Sequence, residues 1–229
     1  MTTSKYAHPA TAARQASPAS SRAVQTLGFG SALLVALEVA AFAAGLSFSL
    51  PIEWSFVASF FLAPSFLTLM VSLHYSIPAE KQVWSHLGLV FATVYTVMVT
   101  ISYFLQLAVV ANNSLGVSED ALKLVRFVPG SAIFAQDMLG YSFMCLATLA
   151  AAPVFGSSRL ERWLGRLFAV HGLLFAPTLV MTVLFPLLAS GQPAGNSDWI
   201  GNVVLLGWSA IFIPLPILLS LLFRRGQQI

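Results

Sequence analysis

The chain has 229 residues, of which 58% are hydrophobic and only 8% are charged, and its formal net charge is +3 at pH 7. A soluble globular domain carries about 25% charged residues, so this composition excludes that class and indicates a membrane protein. The eleven Lys and Arg residues lie beside apolar segments rather than in one patch, which argues against a nucleic-acid partner. The one cysteine, Cys145, excludes a disulfide within the chain and a multi-cysteine zinc site.

Residues 1–26 are rich in Ala, Ser, Thr and Pro, and they contain three basic residues and no acidic one. The segment lacks apolar periodicity, so we expect a disordered, basic, cytoplasmic tail. Its composition also fits an organellar transit peptide, and the sequence Ala41-Phe42-Ala43 that follows resembles a signal-peptidase site. Glu38 would lie in the apolar core of such a signal, which argues against cleavage there.

Six long apolar runs follow, and each is long enough to cross a bilayer as a helix. None contains Lys or Arg, and the only acidic residues within them are Glu38 and Asp137. A transmembrane barrel would need strands of about 10 residues with strict alternation, which these runs lack. We therefore predict an all-α, six-transmembrane-helix bundle over residues 27–223, followed by a cytoplasmic tail over 224–229. The runs are Leu27–Leu50, Trp54–Tyr75, Leu87–Val110, Ser131–Phe155, Leu167–Leu188 and Ile200–Leu222.

Basic residues predict the orientation of these spans. Nine of the eleven lie in the N-terminal tail, the second loop, the fourth loop and the C-terminus, whereas Lys123 and Arg126 lie in the third loop. By the positive-inside rule both termini are cytoplasmic. We expect the membrane to be the cytoplasmic (inner) membrane of a prokaryote, with an organellar membrane as the alternative.

The two halves of the chain share short sequence features. The second and fifth spans each contain Ala-Pro followed by a hydroxyl residue, centred on Pro64 and Pro177, and the first and fourth each contain Gly-Ser-Ala followed by an acid. Matching proline-interrupted segments in an inverted repeat indicate a transporter site near the midplane. A 3+3 inverted repeat with helix breaks at both prolines is one interpretation, and chance matches among small residues are the other.

Glu38 lies near the middle of the first span, about 16 Å from its start at 1.5 Å per residue. Small residues share its helical face, which indicates that this face packs into the bundle. An intramembrane acid is by default a functional site, so we expect Glu38 to bind a cation or a proton. A protonated, purely structural hydrogen-bond donor is the alternative.

Asp137 is the second intramembrane acid, predicted about 10 Å below the outer surface. Gln106 and Asn202 have a similar predicted depth, and acidic residues in the outer loops would attract cations to this side. We predict a ligand- or ion-binding site that includes Glu38, Asp137, Gln106 and Asn202. Interfacial side chains that merely reach water are the alternative, and it is the stronger one for Gln106 and Asn202.

Three histidines, His74, His86 and His171, fall on the predicted inner side. Neutral imidazoles at one depth suit a metal ion or the axial positions of a haem. Their spacing is not diagnostic, because no Cys-x-x-Cys-His or His-Glu-x-x-His motif is present. Ordinary interfacial histidines are the alternative interpretation, and the cofactor stays unidentified.

Three stretches resemble uncharacterised multi-helix integral membrane families of prokaryotes. They are Tyr103-Phe104-Leu105-Gln106, Asp137-Met138-Leu139-Gly140-Tyr141 and Arg159-Leu160-Glu161-Arg162-Trp163-Leu164. The resemblance covers roughly the third to fifth spans and implies no activity or functional residue.

These patterns predict a membrane protein that transports or binds a small cationic or protonatable ligand, rather than an enzyme. One alternative is a haem- or metal-binding redox subunit that uses the histidines. Another is a structural or assembly subunit of a membrane complex, and in either case a second copy of the chain is a possible partner.

Overall fold

A computed structural model describes residues 18–112, 116–156, 158–189 and 198–225, and within these ranges all regular structure is helical. Residues 1–17 of the predicted tail and 226–229 at the C-terminus lie outside the described residues, and helix α1 begins nine residues before the predicted domain boundary at residue 27. The α-helices of the described part are α1 Pro18–Ser47, α2 Ile52–Tyr75, α3 Gln82–Leu105, α4 Glu119–Val125, α5 Ala132–Ala151, α6 Arg159–Leu173, α7 Phe175–Ala189, α8 Asp198–Phe212 and α9 Pro214–Arg224.

Six helical segments are long and apolar enough to cross a membrane, which confirms the predicted number of such helices. We refer to them as the first to sixth spans: Arg22–Ser47, Ile52–Tyr75, Ala79–Val110, Ala132–Val154, Arg159–Leu184 and Asn202–Arg224. Each span overlaps its predicted apolar run, because apolar residues in lipid favour a helix in which every backbone group is bonded within the segment. The third and fifth spans begin eight residues earlier than predicted, at Ala79 and Arg159.

Four spans depart locally from α-helical geometry, the fourth by ending in a 3₁₀-helix, Ala152–Val154. The third ends in a π-helix, Gln106–Val110, the fifth is divided between α6 and α7 at Leu174, and the sixth is divided between α8 and α9 at Ile213. Proline lacks a backbone N–H, so Pro177 leaves the Leu173 carbonyl without its usual partner, next to the break at Leu174. The predicted break at Pro64 is not observed, because α2 continues through that residue.

The spans form a closed ring in chain order. α1 packs against α2, α2 against α3, and α3 against α5. α5 then contacts α6 and α7, α6 contacts α8 and α9, and both halves of the sixth span contact α1. The short helix α4 lies over one end of this ring and contacts α5 and the π-helix.

Aromatic rings fill the centre of the ring of helices, and each of the six spans contributes at least one. Neighbouring ring centroids are 4.7–6.5 Å apart, which is the favourable range for aromatic pairs. We call these residues the central aromatic cluster: Phe42, Phe66, Tyr95, Tyr141, His171, Trp208 and Phe212.

Glycines bring α5 close to both of its main neighbours. A Cβ atom on Gly88 of α3 would lie 2.8 Å from the Ala147 carbonyl oxygen of α5. A Cβ atom on Gly172 of α6 would lie 2.5–2.7 Å from Leu149 atoms of α5, two of which belong to the backbone. Small residues at such contacts let membrane helices pack closely.

Candidate functional site

The side chain of Asp137 lies inside the bundle with no exposed surface. Its Oδ2 atom accepts a hydrogen bond of 3.2 Å from the Tyr103 hydroxyl, while its Oδ1 atom is buried and has no hydrogen-bond partner. A carboxylate in an apolar interior is costly unless its charge is compensated. One oxygen of Asp137 is therefore left for a proton or a cation.

Three further hydroxyl groups lie near that of Tyr103, which alone bonds to the carboxyl. The Tyr141 hydroxyl is 3.4 Å from that of Tyr103, the Ser59 hydroxyl faces both, and the Tyr95 hydroxyl faces that of Tyr141. The Ser59 and Tyr95 oxygens are buried and, like Oδ1 of Asp137, have no hydrogen-bond partner. We call Ser59, Tyr95, Tyr103, Asp137 and Tyr141 the Asp137 cluster.

Three adjacent spans place Ser59, Tyr103 and Asp137 at a similar depth, whereas Tyr95 lies eight residues, about 12 Å, from Tyr103 along α3. Ser59 lies about 10 Å from the start of α2, and Asp137 lies about 8 Å from the start of α5. Both helices start at the end of the bundle that is predicted to face outwards. Asp137 and Tyr141 are four residues apart on α5 and so share a helical face, and Tyr103 on α3 approaches the same depth from the opposite chain direction.

Glu38 forms a second polar site between α1 and α2. Its Oε1 atom accepts a hydrogen bond of 2.9 Å from the Ser65 hydroxyl, and its Oε2 atom is buried without a partner. The Tyr95 phenol lies within electrostatic range of both Glu38 and Asp137. Glu38 is thus half-buried whereas Asp137 is fully buried, and Tyr95 of the central aromatic cluster lies near both.

A cavity of about 300 Å³ lies at the predicted outer end of the bundle, and neither carboxyl lines it. Phe127, in the turn between α4 and α5, lines this cavity and also contacts Tyr103, with ring centroids 5.9 Å apart. It thereby links the cavity wall to the Asp137 cluster. The lining residues are Ile52, Glu53, Phe56, Gln106, Val110, Ala111, Arg126, Phe127 and Val128.

Gln106 has both ends of its side chain bonded to the backbone of this turn. Its Nε2 atom donates to the Val125 carbonyl at 2.6 Å, and its Oε1 atom accepts from the Phe127 N–H at 2.9 Å. The side chain is only 1% exposed. Gln106 thus holds the turn in place beside the cavity, and its amide already has partners of its own.

Asn202 is the fourth residue of the site that the sequence predicts. The Asn202 side chain is exposed on α8, and no contact between it and Asp137 is observed within the described residues. Sequence reasoning missed the grouping of Ser59, Tyr95 and Tyr141 with Asp137. One signal was available, since Tyr141 lies four residues after Asp137, in the interior of its span rather than at an interface where tyrosine is common.

The three histidines do not meet at one place. The rings of His74 and His86 are 5.6 Å apart, and His74 Nδ1 lies 2.9 Å from the Ser85 hydroxyl. His171 instead lies in the central aromatic cluster. Within the described ranges, no three His, Cys, Asp or Glu side chains are grouped to hold a metal ion.

Both ring nitrogens of His171 are engaged. Trp208 Nε1 can only donate, so His171 Nε2, 3.1 Å away, is the acceptor. The neutral imidazole then carries its proton on Nδ1 and donates to the Thr148 hydroxyl at 2.8 Å, and that hydroxyl donates to the Cys145 carbonyl. Because both nitrogens are used, this arrangement leaves no lone pair on His171 for a haem iron.

The bond from Trp208 gives a prediction for stability. We expect Trp208→Phe to lower the free energy of unfolding by about 2 kcal/mol, because it leaves a buried imidazole nitrogen without a donor. Thermal unfolding of the purified protein in detergent measures this loss. Trp84→Phe, at a position 46% exposed, is the matched control and should change stability little. Equal losses in both variants would contradict the assignment of the bond.

Comparison with known proteins identifies no relative of this chain. No known protein family, curated protein or solved structure matches the chain. The resemblance over the third to fifth spans stays a prediction, and the function has to be argued from the chemistry of the site.

Proposed function

We propose that this chain is an integral membrane protein that binds a small cationic or protonatable ligand within its ring of helices and carries it across the bilayer. One observation supports this above the others: Asp137 is fully buried, and only one of its two oxygens has a hydrogen-bond partner. An uncompensated charge at such a position would be strongly unfavourable. A positively charged ligand or a proton removes that cost, which makes the carboxyl a natural binding group.

Glu38 provides a second binding group for the ligand within the ring of helices. It lies nearer the middle of its span than Asp137 does, it is half-buried, and it too has one bonded and one unpartnered oxygen. Acidic residues inside membrane helices are rare, face the bundle interior and mark ion or proton pathways. Two carboxyls at different depths, both near Tyr95, suit a ligand that moves in steps from one to the other.

The proposal also covers the membrane, the orientation of the chain and its internal symmetry. Six apolar helices support insertion in a membrane, and the distribution of basic residues favours cytoplasmic termini in a prokaryotic inner membrane. We also propose a 3+3 inverted repeat, in which Glu38 of the first span and Asp137 of the fourth occupy corresponding helices. The proline-centred features of the second and fifth spans support the same pairing.

Proteoliposomes test the proposal. The purified chain is reconstituted with an internal pH-sensitive dye, and a potassium gradient with valinomycin imposes a membrane potential in external buffers containing Na⁺, Li⁺ or choline. We expect the wild-type protein to dissipate the potential faster than empty liposomes do, and Glu38→Gln to slow this at least about tenfold because the central binding group loses its charge.

Glu80→Gln is the matched control, since Glu80 is an exposed carboxyl in the short 3₁₀-helix Ala79–Lys81 before α3 and lies outside both proposed sites. It should transport at nearly the wild-type rate. Equal rates in the two variants would remove Glu38 from the mechanism. A wild-type rate no higher than that of empty liposomes in all three buffers would overturn transport and favour the alternative of a structural or assembly subunit.

A further inference from the structure

We propose that the Asp137 cluster is a binding site for a dehydrated monovalent metal cation, and that Na⁺ is the ion it fits. This inference rests on the proposed function and identifies the ligand that binds at Asp137, the outer of the two carboxyls. The atoms available to a ligand are all oxygens: Oδ1 of Asp137 and the hydroxyl oxygens of Ser59 and Tyr95, beside those of Tyr103 and Tyr141. Oxygen ligands without nitrogen or sulfur favour a hard metal ion.

The charge of the site favours a monovalent ion. Asp137 is the only carboxyl in the cluster, so a single positive charge neutralises it. Calcium sites usually combine several carboxylates, and magnesium sites keep bound waters in an octahedral shell. Within the described residues no group of three His, Cys, Asp or Glu side chains exists that would serve such an ion.

The burial of the cluster limits the size of the ligand. Ser59, Tyr95 and Asp137 each have no exposed surface, and the cavity of about 300 Å³ at the outer end does not reach them. An organic amine or a fully hydrated ion held in that cavity therefore does not contact Oδ1. A bare ion fits such a place, because the hydroxyl oxygens replace its hydration shell.

The unpartnered oxygens distinguish a metal ion from a proton. A proton on Asp137 would neutralise the carboxyl, but it leaves at least one of the Ser59 and Tyr95 oxygens unsatisfied. A bound water would offer hydrogen bonds but would not neutralise the charge. A cation at Oδ1 of Asp137 neutralises the carboxyl and also accepts lone pairs from the hydroxyl oxygens beside it.

The outer cavity gives the ion a route to the cluster. Glu53 and Arg126 both line the cavity, so its wall carries one negative and one positive side chain. Phe127 separates the cavity from the ring of Tyr103, so the ion enters past Phe127. The Gln106 hydrogen bond to the Phe127 N–H therefore sets how readily this side chain moves.

Thermal unfolding in detergent tests the inference. The full-length chain is unfolded at fixed pH and ionic strength in NaCl, KCl or choline chloride. We expect NaCl at about ten times its Kd to raise the unfolding temperature by about 3–5 °C relative to choline chloride, with a smaller rise in KCl because the larger ion fits the buried site less well. Binding of radioactive ²²Na⁺ to the same sample gives the affinity directly.

Three variants sharpen the test. Asp137→Asn should abolish both the Na⁺-dependent shift and ²²Na⁺ binding, whereas Asp120→Asn, at an exposed position on α4, should keep both. Ser59→Ala removes one oxygen and keeps the charge, so it should weaken Na⁺ binding about tenfold even if Asp137→Asn fails to fold. Equal Na⁺ shifts in wild type and Asp137→Asn would overturn the inference.

The two proposals fail in different ways. A wild-type protein whose unfolding temperature ignores Na⁺ and follows only pH overturns the sodium site. If Glu38→Gln still slows proton-driven dissipation in that case, the proposed transport stands with the proton as its ligand. Sodium binding without any flux in liposomes would instead overturn the transport and keep the site.

Discussion

Replacing Gly172 by alanine is expected to lower the free energy of unfolding by about 3 kcal/mol. The new Cβ atom would lie 2.5 Å from Leu149 Cβ and 2.7 Å from the Leu149 backbone nitrogen and Cα. Backbone atoms of a neighbouring helix cannot rotate away as a side-chain end can. The contact is relieved only by moving α6 away from α5 over several residues.

Such a shift also separates groups that bond across the same helix pair. Thr148 of α5 and His171 of α6 lie 2.8 Å apart between Oγ1 and Nδ1, and His171 directly precedes Gly172. We therefore expect Gly172→Ala to expose or repack Trp208, which donates to the other nitrogen of His171. Thermal unfolding in detergent measures the stability loss, and tryptophan fluorescence follows the environment of Trp208.

Gly207→Ala is the matched control for this prediction. Gly207 lies on α8, and a Cβ atom there would meet nothing within 4 Å. Alanine also favours a helix over glycine by about 1 kcal/mol, so this variant should be as stable as wild type or slightly more so. Equal losses of stability at both positions would show that α5 and α6 are farther apart than the contact of Gly172 with Leu149 requires.

Gln106→Leu is expected to destabilise the turn between α4 and α5 by about 3 kcal/mol. Leucine has a similar size but cannot replace either hydrogen bond, so the Val125 carbonyl and the Phe127 N–H lose their partners at once. Each buried backbone group left without a partner costs about 1–3 kcal/mol. Hydrogen exchange of residues 119–128 measures the loss where it occurs, and we expect faster exchange there than in wild type.

The control is Gln82→Leu, because Gln82 makes one side-chain hydrogen bond of 3.1 Å to the Ile77 carbonyl and is exposed. Exchange in residues 119–128 should not change in that variant. If Gln106→Leu leaves the exchange of the turn at the wild-type rate, the turn is held by packing of Phe127 against Phe56, Tyr103 and Phe134 instead.

The helices themselves could be predicted from the sequence because their cause is local. Long apolar runs within lipid form helices, and the structure confirms six helices long and apolar enough to span a membrane, two of which begin eight residues before the predicted runs. The same applies to the two acids, since Glu38 and Asp137 stand out against the apolar runs that contain them. The two prolines show the limit of prediction from local sequence. Both are predicted to break their helices, but α2 continues through Pro64, whereas the fifth span is divided beside Pro177.

The partners of the two acids could not be predicted in this way. Ser65 bonds to Glu38 across 27 positions of the chain, and Tyr103 bonds to Asp137 across 34. The predicted partners Gln106 and Asn202 share only an approximate depth with Asp137, and so do the three histidines with one another. Depth follows from counting residues, whereas contact also requires that the side chains point to the same place.

The sequence by itself determined that this protein is a set of six apolar helices with two acids inside them, because hydrophobicity and helix length are properties of each segment alone. Only the tertiary structure decided that the helices close into a ring, that aromatic side chains fill its centre, and that Asp137 meets three phenols and a serine. Those outcomes depend on the rotation of each helix about its axis. Nearly uniform apolar faces leave that rotation undetermined until close contacts such as Gly172 against Leu149 fix how the helices pack.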